Sequence, residues 1–235
     1  MKNGNKKNNL FDNLSDEDLD LKIKKLKSMR LEYFKLSTKK ITHLSLLLAI
    51  NVILSFICFL IFTKIAFLGF LKIELSFITY ILCWRLINSF YASLIVFIGT
   101  WLRFGWLDID FVGLISLNIS DLLALWLYIC FHHIFTRIIK FDKKVYKYLL
   151  PSLSIIITII SVGLINVVLN FLFLLPMYIY FLGYYESASK FLESLNLNWP
   201  LYGSIIFGFN LLKYSINFII YVSIQEVLEK IVPKL

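Results

Sequence analysis

The side chains of this sequence that could do chemistry are polar groups embedded in long apolar segments. Asn210, Lys213 and Asn217 are spaced i, i+3 and i+7, which places them on one stripe of a helix. Asn166 and Asn170 share a helix face at a spacing of i, i+4. Amide and ammonium groups are costly in hydrocarbon and usually face the interior of a helix bundle. The pattern therefore predicts a polar pocket that binds a ligand.

The run Lys72-Ile73-Glu74-Leu75-Ser76 adds a third polar group, at one end of an apolar segment. Lys213 lies roughly 18 Å from the outer end of its own segment, which is deep for an ammonium group to reach water. It therefore needs a ligand or a counter-charge, and Asp121 and Glu74 are the candidate partners. For the asparagines, hydrogen bonding between helices is an equally good interpretation.

Catalytic and metal-binding signatures are missing from the sequence. No Gly is followed by Lys, which excludes a phosphate-binding P-loop, and there is no HExxH or GxSxG motif. His132 and His133 have no third ligand nearby and are interpreted as an interfacial pair. The widely spaced Cys58, Cys83 and Cys130 are interpreted as small buried hydrophobic residues. We expect a protein that is not an enzyme, needs no cofactor or metal and binds no nucleic acid.

The composition sets the elements that must position these side chains. The chain has 235 residues, of which 59% are hydrophobic and 17% charged, whereas a soluble domain is about 45–50% apolar and about 25% charged. A soluble enzyme, a secreted disulfide scaffold and a disordered chain are excluded. Nine Gly and four Pro are too few for the many turns of a β-barrel. The predicted fold class is all-α, a polytopic membrane protein.

Six apolar segments are candidate transmembrane helices, at residues 41–62, 75–84, 87–102, 111–135, 148–182 and 201–224. An even number of spans places both termini on one side. With cytoplasmic termini, 19 of the 24 Lys and Arg residues lie on the cytoplasmic side and four, among them Arg103, lie in the outer loops, as the positive-inside rule requires. The second segment is the weakest candidate for a transmembrane helix, because its ten residues rise only about 15 Å.

The predicted organisation has three parts. Residues 1–40 form a basic cytoplasmic N-terminal tail, residues 41–228 a six-helix membrane domain and residues 229–235 a short cytoplasmic C-terminal tail. Eleven Lys and Arg residues lie in the N-terminal tail. Its basic stretch, residues 21–40, either lies along an anionic membrane surface or forms a solvated arm before the first span.

Three short motifs in this order resemble those of a known family. They are Leu71-Lys72-Ile73-Glu74-Leu75-Ser76, then Asn170 six residues before Pro176 with Tyr178 following, then Phe209-Asn210-Leu211-Leu212-Lys213. Together they resemble the motifs of the substrate-binding (S) subunits of energy-coupling factor (ECF) vitamin transporters, in the riboflavin-specific branch. These subunits are six-helix membrane proteins of about this size.

The resemblance implies a function and a set of site residues. Glu74, Asn170, Asn210 and Lys213 would contact riboflavin, which is the transported substrate and not a cofactor. The S subunit would work in the lipid bilayer of the cell membrane with a membrane coupling subunit and two ATPase subunits. Small residues four apart on the first helix dock the coupling subunit in this family, and here they are matched by Ser45 and Ala49.

Two departures from the family pattern keep other interpretations open. Glu74 stands where the family usually has Asp, and Phe77 stands where a second Asp is typical. An S subunit for folate, thiamine or pantothenate is therefore one alternative. A six-span protein of another class, either a secondary carrier or a membrane enzyme, is the other alternative.

Overall fold

The computed structural model describes residues 16–62, 71–105, 111–138, 143–183 and 186–231, and these residues are mostly helical. The chain divides into two compact units, Met1–Thr38 and Lys39–Leu235. The first unit contains helix α1, Asp16–Phe34, whose side chains from residue 20 onward are exposed. The three-part division predicted from the sequence stays a prediction.

The second unit carries the apolar helices. In chain order they are α2 (Thr38–Phe62), α3 (Phe77–Leu86), α4 (Ser89–Leu102), α5 (Phe111–Ile138), α6 (Lys143–Leu169), α7 (Leu175–Leu182), α8 (Ala188–Ser194) and α9 (Trp199–Ile231). A 3-10 turn, Arg103–Gly105, follows α4, and a π-helical turn, Asn170–Leu174, joins α6 to α7.

Within the described residues, four helical stretches are long and apolar enough to cross a membrane. They are Thr38–Phe62, Phe111–Ile138, Leu149–Tyr180 and Trp199–Gln225. The segments predicted at 75–84 and 87–102 form α3 and α4, which are shorter, at 10 and 14 residues. The fold is therefore that of an all-α membrane protein, as the composition predicts.

The turn between α3 and α4 is tight for a local reason. Asn88 precedes α4 in an extended conformation, and its side-chain oxygen accepts a hydrogen bond of 3.0 Å from the backbone N–H of Tyr91. This N-cap satisfies one of the backbone donors that the first turn of a helix leaves unpaired. The chain can therefore reverse within two residues, and α3 packs directly on α4.

The core of the second unit surrounds α3. Helices α4, α5, α6 and α9 pack one against the next, and α3 packs against α4, α5 and α9. The ring of Phe77 on α3 meets the rings of Tyr214 and Phe218 on α9 edge-on, with centroids 5.0 and 5.6 Å apart. Edge-to-face contacts of this kind add to the energy of burial. The aromatic packing fixes α3 against α9, which carries two of the predicted site residues, Asn210 and Lys213.

Helix α2 contributes one buried stripe to this core. Leu47, Asn51, Ser55 and Cys58 recur at helical spacing and are buried. The opposite face is exposed and mostly apolar, as expected for a surface that meets lipid. The predicted coupling-subunit residues Ser45 and Ala49 are both exposed. Their predicted contact with a partner stays a prediction.

The contact between the side chain of Asn51 on α2 and the backbone of α4 depends on a glycine. A Cβ atom added at Gly99 would lie 2.6 Å from Oδ1 of the fully buried Asn51. Gly99→Ala should lower the free energy of unfolding by about 1–3 kcal/mol, because overpacking forces the helices apart. Equilibrium unfolding in mixed detergent micelles measures this change.

Gly208 provides the matched control. It lies inside α9, and a Cβ atom added there meets no other atom within 4 Å. Gly208→Ala should be neutral or stabilise the protein by up to about 1 kcal/mol, because Ala is the better helix former. Equal losses for the two variants would show that crowding at Gly99 is not the cause.

Candidate functional site

Two ion pairs lie inside the second unit. Glu74 pairs with Arg103, and Asp121 pairs with Lys213. Arg103 and Asp121 are 0% exposed, Lys213 is 4% exposed and Glu74 is 6% exposed. Among the residues that the structure describes, these four are the only charged side chains that are buried. A buried charge needs a partner because desolvation is costly. The two pairs leave no net charge in this interior.

The guanidinium group of Arg103 joins three elements. It donates through Nη1 to Oε2 of Glu74, and through Nη2 to Oγ of Ser76 at 2.7 Å and to the hydroxyl of Tyr80 at 2.9 Å. The same Nη2 lies 3.5 Å from Oδ1 of Asn51 on α2. The guanidinium group therefore connects the end of α4 to the segment before α3 and to α3 itself.

The buried, bridging role of Arg103 was not predicted from the sequence. The residue was predicted to lie in an outer loop after the third apolar segment, since hydropathy alone does not separate a loop cation from a buried one. The position directly after a short apolar helix is the one available signal. A helix of 14 residues rises only about 21 Å, so its end can lie inside the protein.

The counter-charge of Lys213 is Asp121. Lys213 Nζ donates to Oδ1 of Asp121 at 2.8 Å, and the hydroxyl of Tyr214 donates to the same oxygen at 2.9 Å. Of the two candidate partners, the structure selects Asp121, because Glu74 is held by Arg103. The second carboxylate oxygen of Asp121, Oδ2, has no hydrogen-bond partner in the part of the chain that the structure describes.

A chain of hydrogen bonds leads from α6 to this ion pair. Asn166 Nδ2 donates to Ser120 Oγ at 2.6 Å, and Ser120 Oγ lies 2.7 Å from the Tyr214 hydroxyl. The single proton of Tyr214 goes to the carboxylate of Asp121, so Ser120 donates to Tyr214. The direction of the chain is therefore fixed, from Asn166 through Ser120 and Tyr214 to Asp121.

The predicted site asparagines form one cluster. Asn166 Nδ2 donates to Oδ1 of Asn210 at 2.7 Å, and Asn170 Nδ2 donates to the backbone oxygen of Asn166 at 2.8 Å. The structure thus links Asn170 and Asn210 directly to Asn166, whereas Lys213 is connected to Asn166 only through the chain of hydrogen bonds that ends at Asp121. Glu74 lies in the other ion pair. The side chain of Asn217 links the two sides, because its Nδ2 donates to the backbone oxygens of Glu74 and Lys213, at 2.7 and 2.8 Å.

A cavity of about 190 Å³ adjoins the asparagine cluster. It lies between α5 and the stretch that runs from α6 through the π-helical turn into α7. Its lining is apolar apart from a hydroxyl and an amide, and consists of Ile115, Ser116, Ile119, Asn166, Leu169, Phe173, Leu174 and Met177. The π-helical turn begins at Asn170. Such turns are frequent at functional sites, because they present groups that a regular helix would hide.

The two histidines lie at another place. His132 packs edge-on against Trp84, with ring centroids 5.4 Å apart, and His133 lies 6.4 Å from the same ring. In the described parts of the chain, no three His, Cys, Asp or Glu side chains are grouped as metal ligands would be. The histidines are therefore part of an aromatic cluster around Trp84.

Neither a known protein-family model nor a curated protein sequence matches this chain. The resemblance to S subunits of vitamin transporters consequently depends on the three motifs alone. The geometry of the polar cluster has to carry any assignment of function.

Proposed function

We propose that the chain is the substrate-binding subunit of an ECF-type importer that captures riboflavin outside the cell. In this proposal all six apolar segments span the cell membrane, and both termini are cytoplasmic. A membrane coupling subunit and two ATPase subunits drive delivery of the vitamin inward. The observation that carries the proposal is the hydrogen-bonded cluster of Asn166, Asn170 and Asn210, of which Asn166 lines an apolar cavity at a π-helical turn.

The groups of this cluster are suited to a flavin. The ammonium group of Lys213 has three N–H donors, of which one is directed at Asp121. The others can bind a ring carbonyl, as can the side-chain amide of Asn170. Apolar and aromatic side chains such as Phe173 and Met177 can pack on a planar ring. Ring carbonyls and a flat apolar body are both features of a flavin.

Charge balance favours riboflavin over the other vitamins considered. The buried charges cancel in two pairs, Glu74 with Arg103 and Asp121 with Lys213. An ionic ligand would enter this interior without a counter-charge, at a desolvation penalty of several kcal/mol. Folate and pantothenate are anions and thiamine is a cation at neutral pH, whereas riboflavin is uncharged. The site therefore fits the neutral vitamin best.

Flavin binding by the detergent-purified chain tests the proposal. Titration with riboflavin should give saturable quenching of flavin fluorescence. Asn210→Ala should weaken binding about tenfold. The change removes a proposed hydrogen bond to the flavin, and a loss of about 1.4 kcal/mol corresponds to that factor. Gln225→Ala is the matched control, since it removes an amide from the last turns of the same helix, outside the cluster. It should bind like the unmodified chain.

The result that would contradict the riboflavin assignment is a folded, monodisperse chain that does not quench the flavin. Titration with folate, thiamine and pantothenate would then test the wider class. Uptake in vesicles separates the remaining alternative, because an S subunit needs the coupling subunit and ATPases. Uptake by this chain alone would indicate a secondary carrier.

A further inference from the structure

The orientation of the Asn166 side chain is fixed by its neighbours. Asn210 Nδ2 donates to the backbone oxygen of Ile206 at 2.8 Å, and a carbonyl oxygen can only accept. Asn210 must therefore present its own oxygen to Asn166. It follows that Asn166 presents its nitrogen, Nδ2, to Asn210. An exchange of the amide oxygen and nitrogen of Asn166 would place two acceptors against each other.

This arrangement uses every donor that Asn166 has. Its amide carries two N–H groups, and these go to Asn210 Oδ1 and to Ser120 Oγ. The group that Asn166 has left for a ligand is the oxygen Oδ1, which can only accept. Since Asn166 also lines the cavity, a ligand in that cavity meets an acceptor at its polar end.

The apolar lining and the small volume of the cavity determine which part of the ligand can enter it. Six of its lining side chains are apolar, among them Ile115, Leu169 and Phe173. A volume of about 190 Å³ is below the roughly 300–1,000 Å³ of pockets that hold a complete drug-sized ligand. An apolar space of this size accepts a flat ring and not a chain of hydroxyl groups. The ring must then supply the donor for Asn166.

We propose that Asn166 is a specificity-determining residue whose Oδ1 accepts a hydrogen bond from a ring N–H of a planar heterocycle in this cavity. The inference rests on the proposed function, because it takes the flavin ring as that heterocycle. The flavin ring has one N–H, in its imide, and the imide is therefore the group that Asn166 recognises. Asn166 is not among the residues that the motif resemblance identifies.

A methylated flavin tests this assignment on the unmodified chain. In 3-methylriboflavin the imide N–H is replaced by N–CH₃, so the ring can no longer donate. Its binding should be at least tenfold weaker than that of riboflavin, because Asn166 Oδ1 would be left buried without a partner. Equal affinities would overturn the inference and leave the proposed function intact. If neither flavin binds, both the proposed function and the inference fail.

Variants at Asn166, with one control at Asn217, distinguish recognition of the ring N–H from an effect of side-chain size. Asn166→Leu should bind riboflavin and 3-methylriboflavin with affinities that differ by no more than about twofold. If that variant does not fold, Asn166→Ala removes the amide oxygen without adding bulk, and the same result is expected. Asn217→Leu, which removes a buried amide outside the cavity, should weaken both ligands equally and keep the ratio of their affinities. An unchanged ratio in the Asn166 variants would overturn the inference.

Discussion

Arg103→Met should lower the free energy of unfolding by about 3–5 kcal/mol, among the largest effects of any single change in this protein. The change removes the only positive partner that the described residues give to the buried carboxylate of Glu74. It also withdraws the donors to Ser76 and Tyr80. Reversible unfolding in mixed micelles, followed by tryptophan fluorescence, measures the loss.

Two further variants define what that loss means. The double change Arg103→Met with Glu74→Leu should recover most of the stability, because a buried ion pair can often be replaced by apolar side chains at little net loss. Lys190→Gln is the surface control: Lys190 pairs with Glu186, and both side chains are largely exposed. It should change stability by less than about 1 kcal/mol. A double variant as unstable as the single one would show that the unpaired carboxylate is not the cause.

Lys213→Met should have a comparable effect on stability, about 3–5 kcal/mol, and should abolish flavin binding as well. The substitution keeps the length of the side chain but leaves the Asp121 carboxylate buried with the Tyr214 hydroxyl as its remaining donor. The same stability assay and the fluorescence titration are to be run on one preparation, so that loss of binding can be compared with loss of fold.

The matched control for this change is Lys39→Met, which makes the same substitution at an exposed position of α2. It should leave both readouts unchanged. The double variant Asp121→Leu with Lys213→Met should regain stability but not binding, because the ammonium group that we propose binds the flavin is still missing. Recovery of binding in the double variant would show that Lys213 serves only to neutralise Asp121.

The positions of the apolar helices could be predicted from the sequence, because α2 to α7 and α9 each coincide with an apolar segment or part of one. The segment predicted at 111–135, for example, is covered by α5, Phe111–Ile138. A continuous apolar run of this length decides such an assignment locally. The depth of each helix in a bilayer depends on neighbouring helices, and the length of α3 alone cannot supply it.

The site was predictable only in part, for a physical reason. Spacing along one helix places Asn210, Lys213 and Asn217 on a common stripe, since that geometry is local. Lys213 and Asp121 are 92 residues apart in the sequence. The sequence therefore left Asp121 as one of two possible partners of Lys213. Arg103 was missed because its partners lie on other elements. Which buried groups meet across helices is a tertiary property.

The short length of α3 has a consequence for how the protein matches its bilayer. At about 15 Å, α3 is half of a hydrocarbon core of about 30 Å. It is nonetheless enclosed by other helices, and the backbone oxygens of Glu74 and Ser76 before it accept hydrogen bonds from Asn217 and Asn51. Irregular backbone at that depth is tolerated where protein and not lipid surrounds it. Acyl chains therefore meet the exposed apolar faces of the surrounding helices, the short α4 included, so membrane thickness should act on the tilt of those helices and leave α3 untouched.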